Sequence, residues 1–184
     1  MQKFAFATLA VAGLAASAMA HDVVMVAQSP TGKLIGYNRQ HHPALLEPSA
    51  FSDLTGWVST DFGFEALAFD DPDADLFVPS SSADIGFRLL SANGVDVKRD
   101  NGVSGVMAIN ELYLLGNPYF HVHPIFQTQT PDFDSPVSIT VQLIDRNNIH
   151  ADSAPITMRF QAVPTPGALG LLGLAGLASR RRRA

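Results

Sequence analysis

Between residues 21 and 162, the dominant period in the pattern of hydrophobic and polar residues is two. In Val137–Leu143, valine, isoleucine and leucine occupy every second position, and serine, threonine and glutamine fill the positions between them. Ile156–Gln161 repeats the pattern. Because successive side chains of a β-strand point to opposite faces, each segment predicts a strand with one buried face.

Five further segments have the composition of short strands and are separated by Ser-Pro-Thr-Gly, Ala-Asn-Gly, Asp-Asn-Gly and Gly-Asn-Pro turns. They are Val23–Ala27, Leu34–Tyr37, Ile85–Leu90, Met107–Leu115 and Tyr119–Phe126. No segment of this region has a helical apolar stripe. The pattern predicts a single all-β domain, an antiparallel β-sandwich of jelly-roll type. The segment Gln40–Pro79 is acidic and rich in proline, and we expect it to form a long irregular loop across the sandwich.

The N-terminus has the three parts of a secretory signal peptide. Lys3 supplies a positive charge, Phe4–Ala16 is apolar, and Ala18-Met19-Ala20 is a small-x-small cleavage site. We therefore expect residues 1–20 to form a signal helix that is removed on export. Cleavage after Ala20 makes His21 the first residue of the mature protein.

The C-terminus, residues 163–184, has a second three-part pattern. It combines Pro164, Thr165 and Pro166 with the apolar stretch Gly167–Ser179 and the basic block Arg180, Arg181, Arg182 and Arg183. As a helix, the apolar stretch would be about 20 Å long, against a hydrocarbon core of about 30 Å. Because the arginines resist translocation, we expect a short hydrophobic helix that inserts transiently. A permanent transmembrane tail anchor is the alternative.

This tail resembles the PEP-CTERM sorting signal of Gram-negative bacteria, and it departs from the usual pattern by having Thr165 where glutamate is common. The resemblance implies handling by the export machinery and removal of the signal by an exosortase. The mature protein is then expected at the cell-envelope surface or in the extracellular matrix, with exopolysaccharide or other matrix proteins as partners. Residues 21–162 remain as the β-sandwich domain.

Charge and cysteine content narrow the function classes. Without Lys3 and the four terminal arginines, seven of the twelve basic residues remain against all seventeen acidic residues, a net charge of −10. Such a surface disfavours nucleic acid as a partner. The chain has no cysteine, so any metal site must use His, Asp or Glu.

The segment Tyr119–Phe126 contains a His-x-His pair. On a strand, His121 and His123 point to one side while Phe120 and Val122 point into the core. Two such imidazoles, about 7 Å apart along the strand, can converge on one zinc or copper ion. His21 would add a ring and a free amine to the site. The alternative is a pair of surface histidines that bind no ion.

The body also resembles a loose group of bacterial surface-anchored sandwich domains, some of them implied in zinc handling. The resemblance lies in the opening His21-Asp22-Val23, the acidic segment Gly63–Asp73, the strand that begins with Ile85 and the late His-x-His. It implies that His21, His121 and His123 match the histidines that such domains share.

The remaining chemical candidates are weaker. His41, His42 and His150 are expected to lie outside the site, although His150 could be a fourth ligand. Asp71–Asp75 has the Asp-x-Asp-x-Asp spacing of calcium loops, but Leu76 and Ser82 stand where an EF-hand needs glycine and glutamate. Calcium is therefore the less favoured ion.

No nucleophile elbow, zinc-protease helix or phosphate-binding loop is present in the sequence. The one enzymatic alternative is a copper histidine brace built on His21, of the kind found in lytic polysaccharide monooxygenases. Such enzymes present a flat substrate surface, often with exposed aromatic side chains, and the single tryptophan and three tyrosines of this sequence give little from which to build one. The sequence therefore favours an exported, non-catalytic surface or matrix protein that binds a divalent metal, with a metal-free adhesion protein as the second interpretation.

Overall fold

A computed structural model of the chain describes residues 22–38, 42–99 and 105–164. The described residues form twelve β-strands and one short 3-10 turn, Pro72–Ala74. The strands are β1 Val23–Gln28, β2 Leu34–Asn38, β3 Ala44–Pro48, β4 Trp57–Ser59, β5 Gly63–Ala66, β6 Ile85–Asn93, β7 Asp96–Val97, β8 Leu112–Gly116, β9 His121–Val122, β10 Phe126–Thr128, β11 Val137–Asp145 and β12 Ile156–Ala162.

The strands form two sheets. The smaller has four strands in the order β2-β1-β5-β9, and the larger has eight in the order β7-β10-β4-β3-β12-β11-β6-β8. The all-β prediction is confirmed. Both sheets are mixed, because β1 pairs with β5 and β12 pairs with β3 in parallel. The predicted antiparallel pairing therefore holds for only part of each sheet. Each parallel pair is joined by a long stretch of chain, which parallel neighbours require.

The predicted alternation is clearest in the two long strands at the centre of the larger sheet. Ile139, Val141 and Leu143 of β11 are fully buried. Thr140 lies on the opposite face, where its hydroxyl is 3.1 Å from that of Thr157 on β12. The period of two therefore separates a core face from a hydroxyl-bearing face, as expected.

Phenylalanine fills much of the space inside the fold. Burying each such side chain contributes roughly 1.5–3 kcal/mol. The fully buried rings are Phe62, Phe64, Phe87, Phe126 and Phe160. Phe64 of the small sheet stacks on Phe87 of the large sheet with ring centroids 4.9 Å apart. This ring contact ties β5, which carries part of the candidate site, to the large sheet.

Gly36 permits close packing of β2 against the large sheet. A Cβ atom at this position would collide with the side chain of Ile156 and lie 3.2 Å from Leu143. The absence of a side chain therefore allows the two sheets to pack closely here.

Three segments differ from the sequence prediction. The predicted strand Met107–Leu115 begins only at Leu112, as β8. The stretch expected to be an irregular loop contains β3, β4 and β5. The stretch expected to be one strand, Tyr119–Phe126, divides into β9 in the small sheet and β10 in the large one. Pro124 stands between them and lacks the N–H that would continue a ladder.

The predicted signal helix and the predicted C-terminal helix lie outside the described residues. Of the residues predicted to form a sorting motif, Pro164 is described and Thr165, Pro166 and Arg180–Arg183 are not. Within the three described ranges, no helix is long and apolar enough to cross a membrane.

Candidate metal centre

His121 is held on the outer face of the small sheet by its pairing with β5. Glu65 lies directly opposite His121, and Phe64 lies opposite Val122. Phe64 is fully buried and Val122 packs against the core. Because neighbouring residues of a strand face opposite ways, Glu65 and His121 point outward together, and their side chains are 41% and 48% exposed.

The two histidines of the His-x-His motif meet at their Nε2 atoms. These atoms are 2.7 Å apart, and the ring centroids are 4.6 Å apart with a tilt of 48°. The prediction that His121 and His123 share one side of the chain while Phe120 is buried is therefore confirmed. At 2.7 Å, one Nε2–H can donate to the other Nε2 lone pair.

A divalent ion would need only a small separation of these nitrogens. With Zn–N bonds of about 2.0–2.1 Å and tetrahedral angles, the two donor atoms of a pair stand about 3.4 Å apart. His121 is 48% exposed, which leaves its side chain room to rotate. Imidazole nitrogens are ligands that suit zinc and copper.

Gly63 makes room for the second imidazole. A Cβ atom built on Gly63 would lie 3.1 Å from both Cε1 and Nδ1 of His123 and 2.8 Å from the carbonyl oxygen of Val122. The His123 ring therefore covers the glycine, and Nδ1 of that ring is buried. A larger residue at position 63 would displace the ring or the backbone of β9.

The start of the described chain lies next to this glycine. The N–H of Gly63 donates to the carbonyl oxygen of Asp22 at 3.2 Å, and Val23 is the partner of Gly63 in the ladder. The residue before Asp22 is His21, the third predicted ligand, which lies outside the described residues. The structure thus brings His121 and His123 together and leaves the position of His21 untested.

Across residues 22–38, 42–99 and 105–164, no group of three or more His, Cys, Asp or Glu side chains is arranged to hold a metal ion. The described residues bring two imidazole nitrogens together, those of His121 and His123. Zinc sites with an open position use three protein ligands. The described pair is therefore an incomplete site by that standard.

The outer face of the small sheet continues beyond the histidines. Met25 is the ladder partner of both Glu65 and Tyr37, so these residues and His121 form one row across the four strands. Tyr37 is half exposed. Trp57, by contrast, is not part of this face. Its indole N–H donates to the carbonyl oxygen of Val163 at 3.0 Å, and its ring packs edge-on against Phe133.

His150, which the sequence suggested as a further ligand, has a structural position instead. The side chain is buried, and its Nε2 accepts a hydrogen bond from the N–H of Ser80 at 3.0 Å. Its Nδ1 lies 3.2 Å from the carbonyl oxygen of Gly32, to which it can donate. Both ring nitrogens are thus engaged by backbone groups. His42 is exposed, and His41 lies outside the described residues.

In the acidic loop around the 3-10 turn, aspartate side chains form hydrogen bonds with backbone N–H groups of the same loop. The carboxylate of Asp71 accepts a hydrogen bond from the N–H of Ala74, and that of Asp70 accepts one from Val78. Asp75 takes a left-handed conformation. These local hydrogen bonds stabilise the loop, and no observation here tests the prediction of calcium binding.

Two residues of this site, Glu65 and Gly63, were not predicted from the sequence. The alternation in Gly63–Ala66 could have shown that Glu65 points outward, because the phenylalanine and alanine beside it are apolar. The partner of Glu65 could not be predicted in this way, since no local pattern pairs β5 with β9.

Comparisons of the chain with protein-family models, curated proteins and solved structures found no match.

Proposed function

We propose that this protein is an exported, non-catalytic β-sandwich that is sorted to the cell surface or extracellular matrix and binds a divalent metal ion through His121 and His123. The observation that carries the metal proposal is the 2.7 Å approach of the two Nε2 atoms on an outer sheet face. Imidazole nitrogens favour zinc or copper, whereas calcium prefers oxygen ligands. Eight of the ten strand pairings are antiparallel, which supports a jelly-roll-like sandwich as the finer class.

His21 is the proposed third ligand. What supports it is the hydrogen bond between Asp22 and Gly63, the glycine under the His123 ring. If the signal peptide is cleaved after Ala20, His21 is the first residue and offers both an imidazole ring and a free amine. Removal of the sorting signal by an exosortase rests on the sequence of residues 163–184.

The metal proposal is tested by calorimetry on protein produced with its native termini and purified after export. Zinc or copper should bind at neutral pH more tightly than millimolar, about −4 kcal/mol, and should raise the melting temperature. Acidification should release the ion, because a protonated imidazole has no lone pair for a metal. His121→Ala with His123→Ala should abolish both effects, and the exposed His42→Ala is the matched control.

The outcomes separate three functions. Absence of binding tighter than about millimolar overturns the metal proposal and leaves a matrix or adhesion protein without an ion. A copper histidine brace is the remaining candidate, and the exposed Tyr37 on the same face favours it. One extra residue before His21 should abolish copper redox chemistry in a brace but only weaken a zinc site that uses imidazole rings.

A further inference from the structure

Glu65 lies beside the ring nitrogen of His121 that faces away from His123. Its Oε2 atom is 3.7 Å from Nδ1 of His121, whereas Nε2 of the same ring is 2.7 Å from Nε2 of His123. The two nitrogens occupy different edges of the imidazole. A carboxylate at Nδ1 is therefore in position to orient the ring while Nε2 faces the proposed ion.

A neutral imidazole has its proton on one nitrogen and its lone pair on the other. An ionised carboxylate only accepts hydrogen bonds, so it favours the tautomer that places the proton between the two groups. We propose that Glu65 is the positioning residue of the metal site, which holds His121 as the Nδ1–H tautomer and presents its Nε2 lone pair toward His123. This inference rests on the proposed function.

The pairing of β5 with β9 places Glu65 beside His121. Glu65 and His121 are direct partners in an antiparallel ladder, and such partners have Cβ atoms about 4.5–5.5 Å apart. Buried Phe64 and Ala66 flank Glu65 and anchor β5 in the core. The 3.7 Å between Oε2 of Glu65 and Nδ1 of His121 is an ion-pair distance, longer than the roughly 3.2 Å of an N–H···O hydrogen bond. Both side chains are exposed, so we expect their rotation to bring the two atoms within hydrogen-bond distance.

Carboxylates that bind the second nitrogen of a metal-ligating histidine fix its orientation and raise its basicity. Removing such a partner weakens metal binding by roughly 10- to 100-fold. The same tautomer also accounts for the contact between the two rings, because an unprotonated Nε2 on His121 can accept a hydrogen bond from Nε2–H of His123.

The test compares Glu65→Gln and Glu65→Leu with the wild-type protein, all purified after export with native termini. Glu47→Leu is the matched control, since Glu47 is an exposed strand glutamate of the large sheet. Imidazole ¹⁵N spectra at neutral pH, without metal, report the tautomer. His121 should have its proton on Nδ1 in the wild type, in Glu65→Gln, whose amide oxygen still accepts, and in the control. In Glu65→Leu the Nε2–H form should appear.

Zinc titration of the same proteins gives the second measurement. Glu65→Leu should bind zinc about 10- to 100-fold more weakly, Glu65→Gln should be intermediate, and the control should match the wild type. This inference is overturned if His121 of the wild type is the Nε2–H tautomer, or if Glu65→Leu binds zinc with unchanged affinity. In either case the proposed function still stands as long as the wild type binds zinc. If the wild type binds no metal, the proposed function fails, and the spectra still decide whether Glu65 sets the tautomer.

Discussion

The carboxylate of Asp145 accepts hydrogen bonds from four backbone N–H groups at the end of β11. Its Oδ1 accepts from Asp84 and Asn147, and its Oδ2 accepts from Ile149 and His150, at 2.9–3.0 Å. Burial of this side chain raises the pKa of the carboxyl group, but the four hydrogen bonds together outweigh burial and lower the pKa below its usual value. Asp145 thus holds the β11–β12 turn and the start of β6 together.

Asp145→Asn should destabilise the protein by about 3 kcal/mol, because an amide has one acceptor oxygen and leaves buried N–H groups without a partner. Chemical denaturation at neutral pH measures this change in the free energy of unfolding. The exposed Asp152→Asn is the control and should change it by less than about 0.5 kcal/mol. Equal effects of the two substitutions would contradict the assigned role of Asp145.

The pH dependence of this difference has a definite sign. The pKa of Asp145 is lower in the folded protein than in the unfolded chain, where it is about 3.9. Its contribution is therefore fully present above that value and is lost as the pH falls through the folded-state pKa. The stability advantage of the wild type over Asp145→Asn should shrink when denaturation is repeated from about pH 6 down to about pH 2.

Strand β11 is the element on which the large sheet depends most. It pairs with β6 along one edge and with β12 along the other, so both of its backbone edges are used. Its inner face is fully buried at Ile139, Val141 and Leu143. A side chain substituted on that face contacts the core, whereas one substituted at Thr140 lies on the outer face beside the Thr157 hydroxyl.

Ile139→Asp or Val141→Asp should prevent folding. An unpaired charge in the core costs several kcal/mol, against a typical total stability of about 5–15 kcal/mol. Thr140→Asp should fold and lose little stability, since its side chain points away from the core. Circular dichroism of the purified variants shows whether each one folds, and thermal melts measure its stability. Similar tolerance at all three positions would show that the strand faces are assigned wrongly.

At the scale of the whole molecule, the candidate metal centre lies where the two sheets exchange strands. The chain leaves the large sheet after β8, forms β9 at the edge of the small sheet and returns to the large sheet as β10. Tyr119, just before β9, has a φ of 145°, which few non-glycine residues adopt. The crossing and Pro124 together limit β9 to two residues and leave both histidines on an outer face.

The proposed sorting also concerns the whole chain, because it rests on the sequence patterns of both termini. Deleting Arg180–Arg183 should let the chain pass through the membrane without retention, since the positive charges that stop translocation would be gone. Cell fractionation and mass measurement of the mature protein report this outcome. Replacing the four arginines with lysines keeps the charge and should preserve retention. Unchanged mass and surface attachment after the deletion would refute the sorting proposal.

Local pattern was sufficient for the long strands and for the faces of the histidine motif. It failed for β3, β4 and β5, which are short and lie among proline, glycine and acidic residues. Three to five residues give too few alternations to stand out from a loop. It also joined β9 to β10, because apolar residues continue through Pro124 and nothing local marks a change of sheet.

The sequence by itself determined the all-β class, the buried face of β11 and β12, and the shared side of His121 and His123, because a strand alternates its side chains with a period of two whatever it pairs with. Only the tertiary structure decided that Glu65 lies opposite His121, that Gly63 lies under the His123 ring, and that both sheets are mixed. Those features depend on strand register and sheet order. Register between distant segments is set by how the hydrophobic faces fit together in the core, and no local pattern encodes that fit.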